Sequence, residues 1–82
     1  MEKPCWTVCS VHPESDYTLH LRFADGSQRV YDARGLLDEG PFLPLRDVEL
    51  FLEARVEFGT VVWSDDIDIA PEHLYEHSRL AA

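Results

Sequence analysis

An α+β domain with a mostly antiparallel sheet and two short helices, packed in two layers, is the fold class that this chain predicts. Three observations carry the prediction. Tyr17, Leu19, Leu21 and Phe23 alternate with Thr18, His20 and Arg22, the period-2 pattern of a strand with one buried face. Asp25-Gly26 and Gly59-Thr60 each fall between apolar runs where hairpin turns need glycine. Asp47 and Pro71 stand where helices begin, one as an N-cap and one at the first helical position. The resulting order is β-β-β-α-β-β-α.

The 82 residues suit a single domain over 1–82, and an apolar fraction of 45% supports a packed core rather than disorder. The first strand is expected from Trp6 to His12, ended by the turn cluster His12 to Asp16. Tyr17–Ala24 follows, then Asp25-Gly26. A two-residue type I′ loop there pairs Leu21 with Val30 and sets Arg22 opposite Arg29. Like charges across strands argue for a bulged register instead, so both registers stay open. Arg34–Gly40 holds at most a turn of helix, and Phe42, Leu43 and Leu45 lie in a proline-punctuated crossing loop. Between Asp47 and about Ala54, Val48, Phe51 and Leu52 form the apolar stripe while Leu50 falls off it. In the second hairpin, a type II′ turn at Gly59-Thr60 pairs Phe58 with Val61 and Val56 with Trp63, putting all four in the core. Ile67 and Ile69 return to the core, Pro71 opens the last helix, and Arg79 to Ala82 is expected to fray.

Charge excludes several functions. The net charge is −9, and the one lysine and six arginines are never adjacent. Binding to a phosphate backbone requires clustered basic residues, so neither nucleic acid nor an anionic membrane surface is an expected partner. No apolar run reaches the ~18 residues of a membrane span and no signal-peptide core opens the chain, which points to the cytoplasm. There, Cys5 and Cys9 are expected as reduced, half-buried thiols, with CxxxC being poor spacing for zinc.

Polar chemistry is densest from Thr60 to Ser78. His73 and His77 stand i, i+4 on one helix face with Asp65 nearby, a spacing that lets two imidazoles share an ion. A solvated helix face with Leu74 packed inward accounts for the same residues, so no metal or other cofactor is expected. Cys9, His12 and His20 are the available groups for nucleophilic chemistry, but no motif surrounds them, and four isolated glycines make no phosphate loop. No catalytic residue is assigned and an enzyme is not expected. The function expected is a protein-interaction or regulatory module that presents Asp65, Asp66, Asp68, Glu72 and Glu76 to a protein partner. The second reading is a small ligand- or metal-binding domain built on the Asp65–His77 segment.

Three segments carry a family resemblance: FADGSQRVYD (Phe23–Asp32), LLDEGPFLPLRD (Leu36–Asp47) and VVWSDDIDIAPEHLYE (Val61–Glu76). Together they closely resemble a bacterial family, domain of unknown function 2442, over nearly the whole chain. Trp63, Asp68, Pro71, Leu74 and Tyr75 match its signature; Ser64 stands where proline is frequent and Asp66 where glycine is usual. The resemblance implies a small α+β domain with no established activity, cofactor or catalytic residue. Some relatives carry a helix-turn-helix domain after this module. Others are encoded beside a second small family of unknown function, number 4160, which implies a paired, toxin–antitoxin-like arrangement and a small partner encoded alongside.

Overall fold

The computed structural model describes residues 4–64 and 67–81. The fold is α+β, but its strands divide into two antiparallel sheets rather than one. The first has the order β1 (Val8–Pro13), β2 (Thr18–Phe23), β3 (Gln28–Asp32) and β7 (Arg79–Leu80). The second contains β4 (Arg55–Glu57), β5 (Thr60–Ser64) and β6 (Ile67–Asp68). Between β3 and β4 run two 3-10 segments, Ala33–Asp38 and Gly40–Arg46, and α1 (Val48–Phe51); α2 (Pro71–His77) precedes β7. A backbone bond from the Val8 amide to the Gly59 carbonyl, 2.9 Å, ties the first sheet to the β4–β5 loop, and one from the Ala24 amide to the Thr7 carbonyl, 2.8 Å, extends the β1–β2 ladder.

The alternation in β2 delivers its apolar face to the core. Leu19, Leu21 and Phe23 are buried, while His20 and Arg22 are exposed. Two hairpin loops in the first sheet use one design. In Ser15-Asp16-Tyr17-Thr18 the Tyr17 amide bonds back to Glu14, and in Ala24-Asp25-Gly26-Ser27 the Gly26 amide bonds back to Phe23. Each aspartate accepts from both the amide and the hydroxyl of the Thr or Ser two residues on. Each loop then places one residue at positive φ, 66° for Tyr17 and 86° for Gly26, as a bulged three-residue hairpin requires. The bulge fixes the register that the residues left open: Leu21 pairs with Arg29, and Arg22 with Gln28. Tyr31 therefore turns inward opposite Leu19.

Several expectations are corrected. β1 starts at Val8, since Trp6 lies in a turn, and its register shifts between Val8 and Ser10, which leaves Cys9 exposed rather than half-buried. Cys5 is exposed as well. The proline-rich stretch forms successive 3-10 turns because Pro41 starts one and Pro44 removes a donor within it, and Leu45 is buried there. In α1 the aspartate cap forms as expected, Asp47 accepting from the Glu49 amide. With only four residues, however, α1 ends before Leu52 can join its face, so Leu50 packs against the core and Leu52 is exposed. Arg79-Leu80 does not fray but pairs with Val30 and Arg29 of β3.

The largest correction is the second hairpin. Glu57 pairs with Thr60 and Val56 with Val61, so the loop is Phe58-Gly59. Both loop residues have positive φ, 55° and 75°, the pattern of a type I′ turn, whose twist matches that of its strands. Phe58 leaves the core entirely and is 100% exposed. Val56, Val61 and Trp63 keep the inward face, as expected. Trp63 stacks on Phe51 at 6.0 Å, meets Phe42 edge-on, and donates its indole N–H to the Phe51 carbonyl at 3.0 Å.

Candidate functional site

The expected interaction segment is seen from Ile67 onward; Asp65 and Asp66 lie outside the described residues. Asp68, Glu72 and Glu76 are exposed, whereas the neighbouring Ile67, Ile69 and Leu74 are buried. β6 is only two residues long, yet its alternation points Asp68 outward between two inward isoleucines. Thr60 fastens the strand behind it by donating its hydroxyl to the Ile69 carbonyl.

Asp68 borders two depressions. One, of about 300 Å³, lies between the 3-10 segments and the first turn of α2. Leu36, Phe42, Ile69 and Ala70 supply its apolar walls, and Glu39, Asp68 and His73 its polar groups. The other, of about 160 Å³, lies on the outer face of the second sheet, where Val62 and Ser64 sit among Glu57, Phe58 and Asp68. A continuous surface therefore runs from the exposed Phe58 ring across Asp68 to His73.

His73 is held by the core. Its Nε2 lies 3.0 Å from the Tyr31 hydroxyl, and the two rings meet edge-on. Burial, with the Glu39 and Asp32 carboxylates nearby, pushes the Tyr31 hydroxyl up to about 12, so it stays protonated. The two groups share one hydrogen bond, whose donor is set by the imidazole tautomer. His77 stacks obliquely on His73 with ring centroids 4.4 Å apart, as the i, i+4 spacing requires. For the metal reading, one His73 nitrogen is thus already engaged, and its proposed companion Asp65 is outside the described residues. Among the described residues no group of three His, Cys, Asp or Glu is placed to hold a metal ion.

The other signature residues have structural surroundings. Tyr75 lies edge-on to Phe23, carries the Arg29 guanidinium 4.1 Å above its ring, and donates its hydroxyl to Asp25 at 2.7 Å. That contact ties α2 to the β2–β3 turn. Pro71 occupies the first position of α2, where no intrahelical amide bond is lost. His12 and His20 face each other across β1 and β2, and their Nε2 atoms lie 3.3 and 3.9 Å from one Glu14 carboxylate oxygen. They line an open hollow of about 390 Å³ on the outer face of the first sheet with Ser10, Arg22 and Gln28.

Sequence reasoning missed Phe58 as a surface residue, and Glu39 and Phe42 as lining of the hollow. The signal for Phe58 was Gly59 in the second loop position, where type I′ turns favour glycine. For Glu39 and Phe42 no sequence signal existed, because their hollow forms only when the 3-10 segments fold against α2.

No helix among the described residues is long and apolar enough to cross a membrane. No curated protein and no solved structure matches the chain. The family model described as a protein of unknown function, DUF2442, matches residues 8–79, which takes in every strand except the last residue of β7, together with Trp63 and the whole hollow beside Asp68. The chain therefore belongs to the DUF2442 family of proteins of unknown function.

Proposed function

We propose that this domain is a protein-interaction module whose docking surface runs from Phe58 across Asp68 to the hollow at His73. The observation that carries the reading is Phe58. A large aromatic held at φ 55° costs on the order of 1 kcal/mol relative to glycine or asparagine, and at 100% exposure it recovers nothing from the core. Such a residue is explained by a contact made outside the chain, and aromatic side chains are enriched at protein interfaces. The net charge of −9, with Asp68 and Glu39 around the surface, favours a partner that presents basic residues beside an apolar pocket for the ring.

The test places a photo-crosslinking residue at position 58 in the native host, with Gln28 on the outer face of the first sheet as the control position. The protein captured from position 58 is then purified and titrated with the wild type and with Phe58→Asn. The reading expects a salt-sensitive complex that Phe58→Asn weakens about tenfold or more, the loss of one interface anchor. A complex indifferent to Phe58→Asn, or equal capture from Gln28, would overturn it.

A further inference from the structure

We infer that the hollow beside Asp68 is a slot for one long basic side chain, a lysine or arginine, of the partner protein. This rests on the interaction reading and assigns the chemistry of one of its contacts. At about 300 Å³ the hollow stands at the small end of ligand pockets, large enough for a single extended side chain. Leu36, Phe42 and Ala70 offer walls to a methylene stem, since lysine and arginine bury their stems while keeping the charge near water.

The charged end has two receivers. Glu39, between the 3-10 segments, and Asp68, at the end of β6, line the hollow from separate elements. Neither forms an ion pair or a side-chain hydrogen bond with a described residue, whereas Asp32, Asp38 and Glu57 each hold an arginine. Two free carboxylates around an apolar hollow reject a phosphate or carboxylate ligand and attract a cation. His73 stands at the wall of the hollow with its Nε2 3.0 Å from the Tyr31 hydroxyl, a contact that favours this placement of the ring. The slot and Phe58 are separated by the Asp68 ridge, so a partner segment engaging both carries its basic residue and its ring-binding pocket on the same face.

The probe is Nα-acetyl-lysine methylamide, titrated into the isotope-labelled full chain with backbone amide and His73 ring resonances followed by NMR. The norleucine analogue, which has the stem without the charge, is the control. Saturable shifts at Leu36, Ala70 and His73 are expected with lysine and not with norleucine. Asp68→Asn and Glu39→Gln should each weaken the effect about threefold to fivefold, the size of a solvent-exposed ion pair. Equal shifts from norleucine, no saturable shift, or shifts confined to the Ser10–Arg22 face would overturn the slot. The norleucine comparison uses the wild-type chain, so the test does not depend on either variant folding. If Phe58→Asn abolishes partner binding while lysine leaves the hollow unshifted, the interaction reading stands and the slot alone fails.

Discussion

Two aromatic residues in this small domain sit at positive φ in hairpin loops, and they have opposite surroundings. Tyr17 ends the β1–β2 loop at φ 66°, in the place that Gly26 fills in the next loop. Its ring lies against Phe51 at 4.9 Å, and its hydroxyl donates to the Arg46 carbonyl at 2.5 Å. Phe58 opens the β4–β5 loop at φ 55° and packs on nothing. Backbone strain at Tyr17 is therefore offset inside the molecule, by a contact that anchors the β1–β2 loop to the segment before α1. At Phe58 the positive φ is set by the type I′ loop, and the fully exposed ring adds no core contact to offset its cost. On the proposal made above, the difference singles out Phe58 rather than Tyr17 as the anchor of the docking surface.

The comparison assumes that the second hairpin is held by its inner face and not by its loop. Trp63→Ala tests this with the largest effect expected. Removing a buried, stacked and hydrogen-bonded tryptophan costs about 3–5 kcal/mol, a large share of the 5–15 kcal/mol typical of domains. The variant should be unfolded or lose most of its denaturation midpoint. A midpoint near wild type would place the stability of this hairpin elsewhere.

Tyr17→Phe isolates the hydroxyl and should cost about 0.5–1.5 kcal/mol, one hydrogen bond, read from the shift in a denaturant melt. No loss would mean that ring packing alone offsets the strain.

The smallest effect separates the two matching aspartate loops. Hydrogen bonds from the Ser27 hydroxyl, from Tyr75 and from the Ser27 amide hold the Asp25 carboxyl down to about 2, and those from Thr18 lower Asp16. Both folded values lie below the unfolded one, so each carboxylate contributes stability above the unfolded value of about 3.9. That contribution disappears as pH falls through the folded value. Melts of Asp25→Asn and Asp16→Asn should thus differ from wild type at neutral pH and converge with it as pH falls below about 4, for Asp25 over the range down to about 2. The Asp25 gap is expected to be the larger because Tyr75 adds a bond that Asp16 lacks. A gap that does not change with pH would show that turn geometry, not charge, is what each aspartate supplies.

How far the sequence could be read follows from what each local pattern fixes. Alternation in β2 fixed its faces, because Leu19, Leu21 and Phe23 leave no other inward set. The Asp47 cap and the Pro71 start were legible because each depends on a side chain or ring acting within one turn. The second register was legible only from Gly59 as the second residue of a type I′ loop, and not from the apolar pattern. Moving the loop from Gly59-Thr60 to Phe58-Gly59 shifts the pairing by two residues and keeps Val56, Val61 and Trp63 on the same face, so the hydrophobic pattern could not choose. β7 was hidden for a different reason: two residues have no periodicity, and Arg79-Leu80 becomes a strand only because β3 offers a free edge. Asp68 was legible as an exposed acid. The hollow beside it was not, since Leu36, Glu39 and Phe42 come from a segment far away in sequence.

The most direct measurement is a pair of melts with one substitution, asparagine, made at both strained aromatics. Asparagine tolerates positive φ, so each variant relieves the same backbone strain and removes a ring. Tyr17→Asn should lower stability by about 1–2 kcal/mol, because the ring contact and the hydrogen bond to Arg46 are lost together. Phe58→Asn, which creates the asparagine-glycine pair that type I′ loops favour, should raise stability by about 1 kcal/mol, or roughly 4–8 °C in Tm. A Phe58→Asn melt at or below wild type would contradict the account, showing that Phe58 serves the fold and that its exposure is no sign of a docking surface.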